Sequence, residues 1–111
     1  MNDNIKKYLT DILTSIDSIE EYLENKRDFN QFMSKKLIQR AIEREFEIIG
    51  EASTRVLKLD TNIPISHIKR IISLRNRVIH DYGNVDYVIL WRIITNDLVI
   101  LKSEIENLLK P

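Results

Sequence analysis

Arg75-Asn76-Arg77-Val78-Ile79-His80-Asp81-Tyr82 closes the third of four long apolar periodicities, and its reading decides the fold. At about 100° per residue, Ile68, Ile71, Ile72, Ile79 and Tyr82 form one apolar stripe, as on a helix of a bundle. Arg75 falls in the middle of that stripe. A guanidinium stays charged, so placing it among apolar neighbours requires a counter-charge, an anionic ligand or an interface. The surroundings sharpen the anomaly. From Pro64 to His80 there are four Lys/Arg residues (Lys69, Arg70, Arg75, Arg77) and two His but no acid, although the chain balances 17 basic against 17 acidic residues.

Outward from this stretch, Asp60-Thr61-Asn62-Ile63-Pro64 is the clearest break in the chain, with Pro64 suited to the first turn of the third helix. Gly83 is a good residue to stop that helix. The second helix is expected from a Ser34 cap to about Leu59, with Ile38, Ile42, Ile49, Ala52, Val56 and Leu59 as its seam. Glu45 is the charged residue on that seam. It either lies solvated at an edge of the bundle or faces Arg75 across the core. Gly50, costly by about 1 kcal/mol inside a helix, points to a close helix crossing. Before this helix, Lys26 to Met33 breaks the pattern, with Asp28 and Asn30 as cap or turn residues and Phe29 and Phe32 tucked onto the bundle.

The first helix, capped by Asp3 or Asn4, runs to about Asn25 on Ile5, Leu9, Ile12, Ile16, Ile19 and Leu23, a 4-3-4-3-4 spacing. The last, capped by Asn84 or Asp86, has its seam in Val88, Trp91, Ile94 or Thr95, Leu98, Leu101, Ile105 and Leu108. It is either one rod or two joined near Asn96-Asp97. The predicted fold is therefore all-α, an up-and-down bundle of four to five helices in a single domain over residues 1–111.

Composition agrees with this. The 111 residues are 43% apolar and 31% charged with only two Gly and two Pro, as in a globular helical chain rather than a disordered one. There is no Cys, which removes disulfides, thiolate nucleophiles and Cys-based zinc sites and makes a reducing cytoplasm the expected setting. No apolar run reaches the length of a membrane span, and the first residues lack the apolar stretch of a signal peptide. Zero net charge argues against a general nucleic-acid coat but leaves room for a local basic site.

The chemistry offered by the central stretch is a fixed cation, an imidazole that titrates near neutrality and a phenol. That set suits phosphodiesters. Arg holds a phosphate and stabilises its developing charge, and His moves protons. Arg75 and His80 are about 140° apart on an ideal helix, so they share a face only if the helix loosens or ends between them. Lys69, Arg70 and Arg77 are either an ordinary solvated face or phosphate contacts that carry no sequence information. His67 is expected at the surface. With His67 and His80 the only histidines, and no clustered acids around them, no metal site or other cofactor is expected.

Arg75, His80 and Tyr82 fit R-x4-H-x-Y, and in this the chain resembles the HepT-like toxins of the HEPN superfamily. Ile48-Ile49-Gly50-Glu51-Ala52, Leu74-Arg75-Asn76 and Trp91 followed by Asn96-Asp97-Leu98 are similar to them too, so the likeness spans nearly the whole chain. The resemblance implies a homodimeric, metal-independent endoribonuclease toxin. Arg75 and His80 of both subunits would meet in a cleft at the two-fold interface, and Asn76 would support them. It also implies a partner, an MntA-like nucleotidyltransferase antitoxin that attaches AMP to Tyr82 and silences the toxin. The bland reading of Tyr82 is a ring capping the core, and one ring can do both. The alternative function is a non-catalytic helical partner of a nucleotidyltransferase, with Tyr82 as nucleotide acceptor. A weaker third is an adaptor bundle whose motif only packs. RNA target, cut-site preference and stoichiometry with the antitoxin are not legible.

Overall fold

A computed structural model describes residues 1–81 and 84–111 and, of Ile79, His80, Asp81 and Asn84, the backbone alone. The first helix, α1 (Asp3–Tyr22), starts because the Asn2 side chain accepts from the backbone N–H groups of Asn4 and Ile5, at 2.7 and 3.2 Å. The cap is thus Asn2 rather than Asp3 or Asn4; the helix takes both of those into its first turn. It stops after Tyr22, and Glu24 and Asn25 follow in the left-handed region, φ 55° and 57°. Their N–H groups return to the carbonyls of Glu21 and Glu20 and satisfy the helix end.

A short α2 (Phe29–Ser34) follows, its first turn capped by the Asp28 carboxylate on Gln31 N–H. Phe32 is buried and stacks near Trp91, centroids 5.1 Å apart, while Phe29 leans on the outer edge of Trp91 at 5.9 Å. Ser34 does not cap the next helix. Its hydroxyl donates back to Gln31 O, and α3 (Lys36–Leu59) begins behind an uncapped Lys35. Its buried face is Ile42, Phe46, Ile49, Gly50, Ala52, Ser53 and Val56, so Phe46 replaces the half-exposed Leu59 at the seam.

The largest helix pairing is α1 on α3, joining the two seams into the main core. Tyrosines brace α3 from both sides: Tyr22 on α1 donates to Glu45, and Tyr87 donates to Glu43, each at 2.8 Å. Burial, then the Glu43 carboxylate, push the Tyr87 phenol up to about 12.

The third long helix, α4, spans Ile68–Val78 and is shorter than expected at both ends. Pro64 and Ser66 stay in the preceding loop, where Ile65 is buried. At the other end the helix stops at Val78, where a second β-branched residue, Ile79, follows, consistent with the crowding such side chains meet in a helical turn. Ile79–Asp81 (β1) then pairs antiparallel with Asn84–Val85 (β2), Ile79 opposite Val85 and Asp81 opposite Asn84. Where helix was expected to continue, Ile79–Asp81 is instead a strand, and the expected stop at Gly83 lies outside the described residues. Only this two-stranded ribbon interrupts an otherwise all-α bundle among the described residues.

Asp86, not Asn84, caps the last rod, accepting from Val88 and Ile89 N–H at 3.1 Å. The rod is continuous but changes winding: α5 (Tyr87–Arg92), a π-turn (Ile93–Asp97), then α6 (Leu98–Leu109). The Thr95 hydroxyl donates to the Trp91 and Arg92 carbonyls at the junction. The wider turn lets Ile93, Ile94, Asp97 and Leu98 all face inward, which a regular helix of this length does less well. Val88, expected on the seam, is half exposed. Lys102 on α6 clamps α1 through Asp17 and Glu20, both at 3.4 Å. The molecule measures 41 × 29 × 18 Å, so its thin direction holds two helix layers of about 10 Å each. Among the described residues no helix is long and apolar enough to cross a membrane.

Candidate functional site

Both ends of α4 gather polar groups, and they do so differently. At the N-terminal end the free N–H groups of the first turn are met by one carboxylate from α6. Glu104 accepts from Ser66 N–H and Oγ–H at 2.9 and 2.7 Å and from His67 N–H at 3.0 Å. An anion is well placed there, where the helix dipole is positive. One turn further, Asp97 on the π-turn takes His67 Nε2 at 2.7 Å and Arg70 Nε at 2.9 Å. Burial pushes the Asp97 carboxyl up, but the hydrogen bonds and charges of His67 and Arg70 outweigh it and hold the group below the ordinary carboxylate range. His67 is thus largely buried, with 15% of its side chain exposed, rather than a surface residue. This cluster fastens α4 to the last rod.

At the C-terminal end no carboxylate among the described residues fastens the cation. Leu74 and Val78 are the buried residues of the last turns, and Arg75 lies half-buried beside them, against α3. Its methylenes lie across Gly50. A Cβ at that position would come within 2.6 Å of Arg75 Cγ and 3.1 Å of Cδ. So the glycine in the middle of α3 is the seat on which the arginine crosses, the close approach that its cost in a helix demanded. Arg75 Nε is buried and meets no hydrogen-bond partner among the described residues. Nη1 donates to the neighbouring Asn76 Oδ1 at a long 3.3 Å. Leaving a buried donor unmet costs about 1–3 kcal/mol, and an anion at this place would remove that cost.

Glu45 does not supply it. Its carboxylate takes Tyr22, and no ion pair joins it to Arg75. The reason is angular. Glu45 lies about 140° around α3 from Gly50, where Arg75 crosses.

Arg75 borders a groove of about 440 Å³ that it shares with Gly50, Glu51, Thr54, Arg55 and Lys58. The helix ends at Val78, between Arg75 and His80, which is the condition for the two to leave the opposed faces that an unbroken helix would impose. The His80 side chain and Tyr82 lie outside the described residues. The other basic residues do not form one track. Lys69 is exposed near the start of α4, Arg70 is held by Asp97, and Arg77 lines a separate hollow with Met33, Val85 and Tyr87. Arg77 is two residues from Arg75 and so about 160° away around the helix.

Sequence reasoning overlooked Arg55 and Lys58, which take part in the groove through the helical repeat of Glu51, Thr54, Arg55 and Lys58. That repeat was readable once Gly50 was recognised as a crossing point. Among the described residues no three His, Asp or Glu side chains gather as metal ligands.

Comparison with known proteins places most of the chain in one sequence family. Residues 12–108 match the family described as Ribonuclease HepT-like. A protein of Methanocaldococcus jannaschii named provisionally as an RNase is 37% identical over 105 residues, covering 93% of this chain and 94% of its own. The "Probable ribonuclease HepT" of Thermococcus cleftensis is 36% identical over 114 residues, 99% of this chain and 100% of its own. A second provisional RNase of Methanocaldococcus jannaschii is 33% identical over 109 residues, 96% and 92% of the two chains. No solved structure gives a significant match.

Proposed function

The chain belongs to the HepT-like ribonuclease family, and on that premise we propose that it is a metal-independent endoribonuclease with Arg75 and His80 at its centre. The supporting observation is the Arg75 guanidinium: seated on Gly50, with Nε buried and unmet, at the edge of an open groove. A side chain held this way is preorganised for a phosphate, and preorganised charge is the largest single contribution in most such reactions. Arg75 binds and polarises the scissile phosphate, and Asn76 keeps Nη1 oriented towards it. His80 takes the proton of the 2′-hydroxyl as its oxygen attacks phosphorus, or returns a proton to the departing 5′-oxygen. Two copies of the chain assemble about a two-fold axis and present the Arg and His of both subunits in one cleft.

In this reading the enzyme is the toxin of a toxin–antitoxin pair working in the cytoplasm. Its partner is a nucleotidyltransferase that places AMP on Tyr82. The added phosphate, two residues from His80, neutralises Arg75 and fills the substrate's place.

The experiment is RNA cleavage in chelator by wild-type protein beside His80→Ala, with dimerisation read by sedimentation. Wild-type dimer should cleave and His80→Ala should not. A wild-type dimer that leaves RNA intact but gains AMP on Tyr82, and loses that gain in Tyr82→Phe, would favour the non-catalytic partner instead.

A further inference from the structure

The groove beside Arg75 extends well past the reactive groups. Glu51, Thr54, Arg55 and Lys58 recur at i, i+3, i+4 and i+7, which places them on one stripe of α3, and this stripe forms the wall facing Arg75. From Gly50 to Lys58 the wall runs about 12 Å at 1.5 Å per residue, longer than one phosphate needs. Three cations line it against one acid. The acid, Glu51, is engaged by Arg55 Nη2 at 3.1 Å, but both side chains are more than half exposed, at 66% and 54%. An exposed pair of this kind contributes little to stability, so an incoming anion can take over the guanidinium. The Thr54 hydroxyl donates to the Gly50 carbonyl at 2.9 Å and keeps its own lone pairs as acceptors. On the α1 side the Arg55 guanidinium lies over the Tyr8 ring, 5.8 Å from its centroid, which helps to position that head group.

Resting on the ribonuclease reading above, we propose that this wall of α3 is a second phosphate subsite. Arg55 and Lys58 there hold the backbone of the RNA strand next to the phosphate bound by Arg75. Contacts of this type fix where the strand lies without reading its bases, which agrees with a groove lined by charged residues, a threonine and a glycine, with no aromatic ring among them. Glu51 weakens the subsite and sets its threshold, since it competes with RNA for Arg55.

The test is binding of an all-2′-O-methyl RNA oligonucleotide, which cannot be cleaved through a 2′-hydroxyl, followed by fluorescence anisotropy from low to moderate salt. Each phosphate contact on a single strand steepens the slope of log K against log salt by about 0.7. Arg55→Gln with Lys58→Gln should therefore flatten the slope by about 1.4 and weaken binding at least tenfold near 0.1 M salt. Arg55→Lys should retain most of the slope, and Glu51→Gln should bind more tightly than wild type. All of these positions are on an exposed helix face, and unchanged melting temperatures would confirm that folding is not the cause. A double variant with wild-type affinity and slope, or wild-type protein that does not bind the oligonucleotide, overturns the subsite. The parallel cleavage assay on ordinary RNA separates the two ideas: binding with the predicted slopes but no cleavage removes the nuclease and keeps the subsite. Cleavage with unaltered slopes does the reverse.

Discussion

The two ends of α4 carry similar residues in opposite circumstances. Near the start, Arg70 Nε and His67 Nε2 converge on Asp97, and Glu104 caps the first turn, so each of these donors has a carboxylate acceptor. Near the end, Arg75 has among the described residues no partner for its buried Nε and one long bond to its own neighbour. Both are arginines on one helix, five residues apart. What separates them is whether the opposing element offers a carboxylate, as the π-turn does, or a glycine, as α3 does. A cation with a carboxylate fastens the fold. A cation laid over a glycine beside an open groove is kept for something that arrives.

If that distinction is right, substitutions at the two ends should fail in different currencies. The largest effect is expected from Arg75→Ala, which should lower RNA cleavage by on the order of 10³-fold while leaving the urea midpoint nearly unchanged. Next is Gly50→Ala. The new methyl would displace the Arg75 side chain, and a misplacement of about 1 Å can cost on the order of 10²-fold in rate. Ala favours a helix by about 1 kcal/mol over Gly, but the methyl also meets Arg75 Cβ at 3.2 Å, so α4 must shift off α3 and the urea midpoint should fall modestly. A stable, fully active Gly50→Ala would break the link between the seat and the site.

The opposite end should show the opposite pattern. Asp97→Ala should cost about 2 kcal/mol in urea unfolding, since it leaves His67 without its acceptor in a largely enclosed place. The smallest effect is in acid. The folded Asp97 carboxyl is held below its ordinary value of 3.8, so its contribution is present above that value and is lost as pH falls through the lowered one. Unfolding free energy measured from about pH 5 to about pH 3 should therefore fall less steeply in Asp97→Asn than in wild type.

Much of this comparison was visible in the sequence, and the missing part has physical causes. The seams of α1 and α6 and the anomaly of Arg75 follow from spacing alone, because apolar periodicity reports which face is buried. Gly50 could be read as a crossing point, but not what crosses there. Periodicity is silent on lateral partners, and so Glu45 was a candidate counter-charge although Tyr22 occupies it. His67 looked like a surface residue because its acceptor lies thirty residues away on a turn whose π winding has no sequence signature here, lacking Pro or Gly. The end of α4 was placed at Gly83 by its helix-stopping residue, whereas the helix ends at Val78 and Ile79 already belongs to a strand. At the groove, Arg75 stood out in the sequence through its incongruity. Arg55 and Lys58 were missed because on a solvated face they look like any other charges.

The most direct test is the ¹⁵N–¹H signal of the arginine Nε groups while non-cleavable RNA is added. The account predicts that the Arg75 Nε–H signal shifts and becomes protected from exchange with solvent, and that the Arg70 signal, already bonded to Asp97, stays where it is. An unmoved Arg75 signal beside a shifting Arg70 would contradict it.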